Sequence, residues 1–262
     1  MDLIDLVRDK VKIVYEGSWE ENQVTLNESL AFIPDITQEM IDVANDRFLK
    51  RKENNPDLFD GQTMHLDLDC SFLRPDCIVL SVGKISYSIF DIARIEYKKR
   101  FGWENLPSGM GINAVVVSSD KKIAMVNRFP HLDHPERISV APGGVYKGLP
   151  PFQGIREELQ EELGIKKDEL KKNVLIGISN RLSSRVNHEL SFLMETFLSS
   201  VEMKERAKKA KESDGELFFL NKEEKELHDY LRENYEMLIP TGFSALVMAG
   251  RHWWSSQWSR IR

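Results

Sequence analysis

Residues 142–165 read PGGVYKGLPPFQGIREELQEELGI: a glycine-rich turn, a short loop, and a helix that stops at Gly164. At about 3.6 residues per turn, Glu158, Glu161 and Glu162 (i, i+3, i+4) fall within an arc of roughly 100°. Phe152, Ile155, Leu159 and Leu163 form an apolar stripe beside that arc, so the carboxylates run along the edge of the buried face. Like charges crowded this way repel and raise one another's pKa unless a cation neutralises them. Hard oxygen donors on one helix face suit Mg²⁺ or Mn²⁺. Gly143 and Gly144 leave the backbone before the helix open to close approach by an ion or a phosphate. Taken alone, such glutamates could equally be a solvated helix face.

The surrounding residues decide between these readings. The string resembles the signature of the Nudix hydrolases: a Gly, five residues, Glu, seven residues, then Arg-Glu-apolar-x-Glu-Glu-x-Gly-apolar. Glu158 to Ile165 match its second half at every position, and Pro142-Gly143-Gly144 match its opening. Gly148 fits the loop glycine if one residue is missing between them. Two positions depart. Leu149 stands where the family has its first Glu, and Glu157 stands at the Arg position, with Arg156 one place early. In the family that Glu and Arg brace the loop against the helix. Their joint loss touches loop geometry and rate more than metal binding.

The rest of the chain sets bounds. At 262 residues, 41% hydrophobic and 30% charged, it is long enough for one large or two modest globular domains. A net charge of −6 argues against general nucleic-acid affinity but leaves room for a small phosphorylated substrate. Cys70 and Cys77 are too few for a disulfide framework or a four-ligand zinc site. The opening MDLIDLVRDKVKIVYEG is acidic without a signal-peptide core, and no apolar run is long enough to span a membrane. A cytoplasmic protein with no membrane partner is expected.

Strand-like alternation around Val11–Tyr15, helical spacing from Thr37 to Lys52, and strands at Leu66–Cys70 and Cys77–Val82 precede an ambiguous arm from Tyr87 to Arg100. The Gly-, Pro- and Ser-rich segment 102–111 is read as a boundary between an N-terminal α+β domain (1–108) and a second domain (109–262). Beyond it the spacing predicts a hairpin (INAVVVSS, a turn at 119–122, IAMVNRF), a loop leading to VAPGG and the helix above, then strands VLIGISNRL and HELSFLMETFLSS. A charged helix over Lys204–Lys211, a strand at Glu216–Leu220 and helices at Leu227–Met237 and Gly242–Trp254 complete the pattern. Strands on both sides of one central helix, with helices at the end, fit an α/β/α sandwich on a mixed sheet. That is also the Nudix fold, which the resemblance implies from about residue 109.

The likeness extends upstream. Asp46-Arg47-Phe48, Leu58-Phe59-Asp60-Gly61 and Ile85-Ser86-Tyr87-Ser88-Ile89-Phe90 resemble the N-terminal region of the Nudix UDP-glucose/UDP-galactose diphosphatases. The spacing from Arg128 to Pro142-Gly143-Gly144, and Gly177-Ile178 followed by Arg185 and Glu189, also resemble theirs. This chain lacks the long loop insertion those enzymes carry. The resemblance implies a nucleoside diphosphate linked to another group as substrate, and water attacking one phosphorus. It assigns Glu158 and Glu162 as first metal ligands, with Glu161 and the Gly143 carbonyl completing the shell. Glu158, Glu161 or Glu189 would serve as the base; Tyr87, Arg128, Gly144 and Arg185 would hold substrate, the arginines because guanidinium forks onto phosphate oxygens.

His131-Leu132-Asp133-His134 sits in a loop without a ligand pattern and is read as polar loop residues. The three tryptophans of His252–Trp258 leave packing within the chain, a homodimer contact or a ligand contact open. Three functions follow: a Mg²⁺- or Mn²⁺-dependent UDP-sugar diphosphatase, a Nudix diphosphatase for ADP-ribose or a dinucleotide, or a nucleotide-binding module with weak turnover. Retention of all three carboxylates of that signature, the Nudix box over residues 142–165, favours an enzyme.

Overall fold

The computed structural model describes residues 3, 5, 10–29, 31–56, 58–92, 98–102, 106–130, 136–181, 187–212, 215–255 and 258. Among these, a mixed sheet carries helices on both faces, the expected α/β/α arrangement. Its continuous path runs β1 (Val11–Trp19), β9 (Leu170–Arg181), β10 (Asn187–Thr196), β5 (Gly109–Val117), β3 (Gln62–Leu73), β4 (Ile78–Ser86) and β2 (Val24–Asn27). Branching from β5 are β8 (Gly143–Val145) and β6 (Lys122–Arg128); β6 also pairs with β7 (Ile138–Val140) and β11 (Gly215–Asn221). β10–β5 and β2–β4 are parallel and the other pairs antiparallel. Strands from both sides of the 102–111 segment join this sheet, through His65 opposite Gly109 and Leu66 N–H donating to the Ser108 carbonyl at 2.8 Å.

Alternation along β5 sorts the two cores. Met110, Ile112, Ala114 and Val116 point to one face, where Phe152, Ile155, Leu159 and Leu163 of α4 (Pro151–Leu163) cover them. Val115 and Val117 point to the other, against α6 (Glu224–Glu233) and α7 (Pro240–Trp253). Every residue of α7 from Gly242 to Gly250 is buried, so this helix fills a core instead of edging it. No helix among the described residues is long and apolar enough to cross a membrane.

α1 (Gln38–Asn54) begins where the sequence puts it, with the Thr37 hydroxyl accepting from Met40 N–H at 3.3 Å. The Tyr87–Arg100 arm contains α2 (Tyr87–Ile92) and α3 (Lys98–Phe101). Buried Asp91 on α2 accepts from Arg47 and Arg51 of α1, both at 2.6 Å. The glycine-rich turn is bordered by two short strands: β7 and β8 flank Ala141-Pro142, because their backbone groups find partners on β6 and β5. The charged helix, α5 (Ser200–Ala207), starts four residues earlier than its charge pattern suggests. A Ser199–Glu202 capping box sets its start, and Met203 buries its inner face.

Trp253, Trp254 and Trp258 pack within the chain. Trp258 is 1% exposed, lies 5.3 Å from Trp254 and meets His228 of α6 edge-on at 5.9 Å. Trp258→Ala is expected to cost about 3–5 kcal/mol, as for a large aromatic removed from a core. The measurement is a denaturant melt. A midpoint unchanged from wild type would show that the tail is not part of the core.

Candidate active site

α4 starts with Pro151 in its first turn, where a missing N–H costs nothing, and ends at Gly164 in the left-handed conformation (φ 65°). Its apolar stripe against β5 turns Glu158 and Glu162 inward, to 8% and 7% exposure, and leaves Glu161 at the rim. β8 runs beside β5, with Gly144 opposite Ile112 and Gly143 opposite Asn113. Gly144 therefore faces α4, so closely that a Cβ there would meet Glu158 Oε2 at 2.9 Å. Glu162 Oε1 accepts from Gly143 N–H at 3.0 Å. This bond ties the turn at Gly143 to the helix. Glu157 is exposed and accepts from Gln153 at 3.0 Å; Arg156 forks onto Glu21 at 2.7 and 2.8 Å, away from the loop.

Two lysines answer the like-charge crowding. Lys147 Nζ lies 3.0 Å from Glu158 and 3.7 Å from Glu161, and Lys211 Nζ lies 2.8 Å from Glu161. Burial holds the Glu158 carboxyl above its ordinary pKa, only partly offset by Lys147. Glu161 lies below its ordinary value, first through the Lys211 hydrogen bond. Burial alone would lower Lys147, but the hydrogen bond and charge of Glu158 outweigh it and raise it.

Among the described residues, no three His, Cys, Asp or Glu side chains converge as a metal-binding group. The donor set nonetheless fits a divalent cation in kind. All its atoms are hard oxygens, and Glu158 and Glu161 already share one cation, the Lys147 ammonium, whose side chain is 59% exposed and free to swing out. Lys147→Met is therefore expected to lower the melting temperature without metal, since Glu158 loses its counter-ion, and to enlarge the rise produced by Mn²⁺. The check is a pair of thermal melts with and without Mn²⁺. Equal increments in wild type and variant would exclude competition between ammonium and metal.

Glu189 lies elsewhere. It pairs with Gly111 across the parallel β10–β5 ladder, so the two share a face, and a Cβ on Gly111 would meet Glu189 Oε2 at 2.4 Å. Asn113, on that same face, donates to Glu189 Oε1 at 3.2 Å and reaches the Thr241 carbonyl of α7 at 3.5 Å. Glu158 and Glu189 thus stand at one end of the sheet on opposite faces. Burial pushes the Glu189 carboxyl up to about 8, against the lowering effects of Arg181 and Asn113. Its neighbour His188 is pushed down to about 4 by burial and then by His65.

Of the other expected residues, Tyr87 is tied into the arm: its hydroxyl accepts from Arg51 at 3.3 Å and its ring packs on Phe90. Arg128 ends β6 opposite Gly215. Arg185, His131 and His134 fall outside the described residues. Sequence reasoning missed Lys147, Lys211, Asn113 and Arg181. Lys147 sits within the decisive stretch, but its pairing depends on how β8 lies against α4. The other three join the site only through strand register and chain return.

No protein-family model and no curated protein matches this chain. Several solved structures do. A Deinococcus radiodurans protein is 13% identical with a TM-score of 0.43, covering 72% of this chain and 97% of its own. A NUDIX hydrolase from Nitrosomonas europaea is 17% identical with a TM-score of 0.41, covering 55% and 89%. A mutT/nudix family protein from Listeria innocua is 15% identical with a TM-score of 0.41, covering 54% and 90%.

Proposed function

We propose that this chain is a Nudix-type pyrophosphohydrolase acting on a nucleoside diphosphate linked to another group, with a UDP-sugar as the first candidate, giving UMP and a sugar 1-phosphate. Residues 109–262 would form the catalytic domain and residues 1–108 an accessory α+β domain. The observation that carries the reading is the join of loop and helix: Glu162 holds Gly143 at 3.0 Å while Glu158 and Glu161 share a single cation beside Gly144. Glu158 and Glu161, with Glu162 and the Gly143 carbonyl, would hold Mg²⁺ or Mn²⁺, which when bound neutralises the diphosphate and stabilises charge growing on it. Glu158 or Glu161 orients the attacking water and accepts its proton. Water attacks one phosphorus, the bond to the bridging oxygen breaks, and that oxygen leaves with the other phosphate. Lys147, released from Glu158, is a donor for a phosphate oxygen, and Arg128 and Arg185 are candidates to hold the diphosphate in line. Glu189, on the opposite sheet face, would act on this chemistry through Gly111 and Asn113 or not at all.

The sugar-nucleotide preference rests on the upstream resemblance. Two of the stretches that carry it meet: Asp60 accepts from the Ser88 N–H at 2.7 Å and from its hydroxyl at 2.9 Å. The second reading, a nucleotide-binding module with weak turnover, is favoured by Lys147 itself, an ammonium of the chain's own already seated against Glu158 and Glu161, together with Leu149 and Glu157.

The deciding experiment is phosphate-coupled turnover of UDP-sugars, ADP-ribose and dinucleoside polyphosphates with Mg²⁺ or Mn²⁺. Metal-dependent turnover of UDP-sugars is expected. Turnover of ADP-ribose or a dinucleotide would keep the chemistry and move the substrate. No turnover, with nucleotide still raising the melting temperature, would leave the binding module.

A further inference from the structure

At the end of the sheet away from the box loop, a cavity of about 530 Å³ opens between the C-terminal ends of β5, β10 and β11 and the start of β9. From Gly111 to Val117 the strand spans roughly 20 Å, so this cavity is separate from the box carboxylates. Its walls gather ammonium groups. Lys121, Lys171 and Lys222 line it, and Lys121 and Lys222 are drawn together by a backbone bond of 2.8 Å between the Lys222 N–H and the Lys121 carbonyl.

A fourth lysine stands just behind: Lys172 Nζ lies 3.1 Å from His252 Nε2 at the end of α7. Lys222 Nζ sits 4.4 Å from the centre of the Trp253 ring. Two carboxylates face this group. Glu195 is half-buried, 3.6 Å from Lys222, and Glu223 is exposed at the rim. Positive charge thus exceeds negative charge locally, in a chain whose net charge is −6. The excess is felt inside the cluster: Lys222 is held below its ordinary pKa by burial and by Lys172 and Lys121, and His252 by burial and by Lys172 and Lys222.

Half-buried like charges, here Lys172 and Lys222 behind the exposed Lys121 and Lys171, are costly with too few counter-ions unless an anion completes them. Lysines are compact point charges, suited to a small anion of high charge; bidentate carboxylate recognition belongs to arginine, which the lining lacks. The volume falls within the range of small-ligand sites. We propose that this cavity binds the phosphate group or groups of a small molecule, held by Lys121, Lys171, Lys172 and Lys222 at a site distinct from the box. The proposal does not depend on the chain being a hydrolase.

The test is calorimetric titration of the full chain with inorganic pyrophosphate and, separately, with AMP, in EDTA at low salt so that no metal-loaded box contributes. Saturable binding is expected. It should weaken about tenfold in Lys172→Met or Lys222→Met, the loss of about 1.4 kcal/mol of charge interaction. It should strengthen in Glu195→Gln, fall with added salt, and stay unchanged in Glu162→Gln. Should either methionine variant misfold, the exposed pair Lys121→Gln/Lys171→Gln carries the same expectation. Tighter pyrophosphate would mark a diphosphate site and tighter AMP a nucleotide site, and either supports the proposal. No binding of either probe, binding indifferent to the lysine variants, or binding lost in Glu162→Gln would overturn it.

Discussion

Under the proposed function, Glu158→Gln is expected to reduce turnover by on the order of a hundredfold to ten-thousandfold, the range lost with a positioned acid–base group, with little change in stability. Gln fills the same space beside Gly144. The stranded partner, Lys147, has a side chain 59% exposed and returns to water at small cost. Because burial already holds the Glu158 carboxyl above its usual pKa, the neutral isostere suits the apo site. Glu162→Gln separates two roles. Its amide oxygen can still accept from Gly143 N–H, so the loop keeps its brace while one negative charge is lost. Glu162→Ala also loses the brace, leaves that N–H without its acceptor and should cost a further ~1–3 kcal/mol. Steady-state turnover on whichever substrate the panel identifies, beside thermal melts, separates these effects. Full turnover in Glu158→Gln would exclude this carboxylate as the acid–base group and leave that role to Glu161.

The second large effect concerns Glu189 and pH. Burial over Gly111 pushes its carboxyl up to about 8, from an ordinary value of 4.5. The folded chain therefore keeps a proton that the unfolded chain releases. The sign follows from linkage: stability from this group is complete below the unfolded pKa and is lost as pH rises toward the folded one. The slope is about 1.4 kcal/mol per pH unit, a few kcal/mol across the window from roughly pH 5 to 8. Glu189→Gln removes that slope, keeping an acceptor for Asn113 without a titrating group. It should melt at nearly the wild-type temperature near pH 5 and several degrees higher at pH 8.5, at about 2–4 °C per kcal/mol for a chain of this size. Parallel melting curves for the two proteins from pH 5 to 8.5 would show that the carboxyl reaches water and titrates normally. Turnover adds an independent check, since a base for the attacking water would not survive this change.

Much of the fold is legible in the residues. Thr37 as a cap, the α4 stripe Phe152-Ile155-Leu159-Leu163 with its stop at Gly164, and the β5–β6 hairpin are local patterns, written in spacings of two, three and four residues. The place of Glu158 and Glu162 at the edge of the buried face is legible for the same reason, helical phase beside an apolar stripe; their burial to 8% and 7% exposure is set by what packs around α4. Boundaries failed where a tertiary partner sets them. β7 and β8 exist because β6 and β5 offer backbone groups.

The sequence by itself determined a mixed α/β/α architecture and a single helix face carrying three carboxylates, because both depend on periodicity within a segment. Only the tertiary structure decided which cation each carboxylate meets, and on which face of the sheet Glu189 stands. Lys147 and Lys211 reach α4 from other segments, and Glu189 takes its side from the β10–β5 register, where a shift of one residue would reverse it. Such contacts depend on how distant segments align, which no local spacing records.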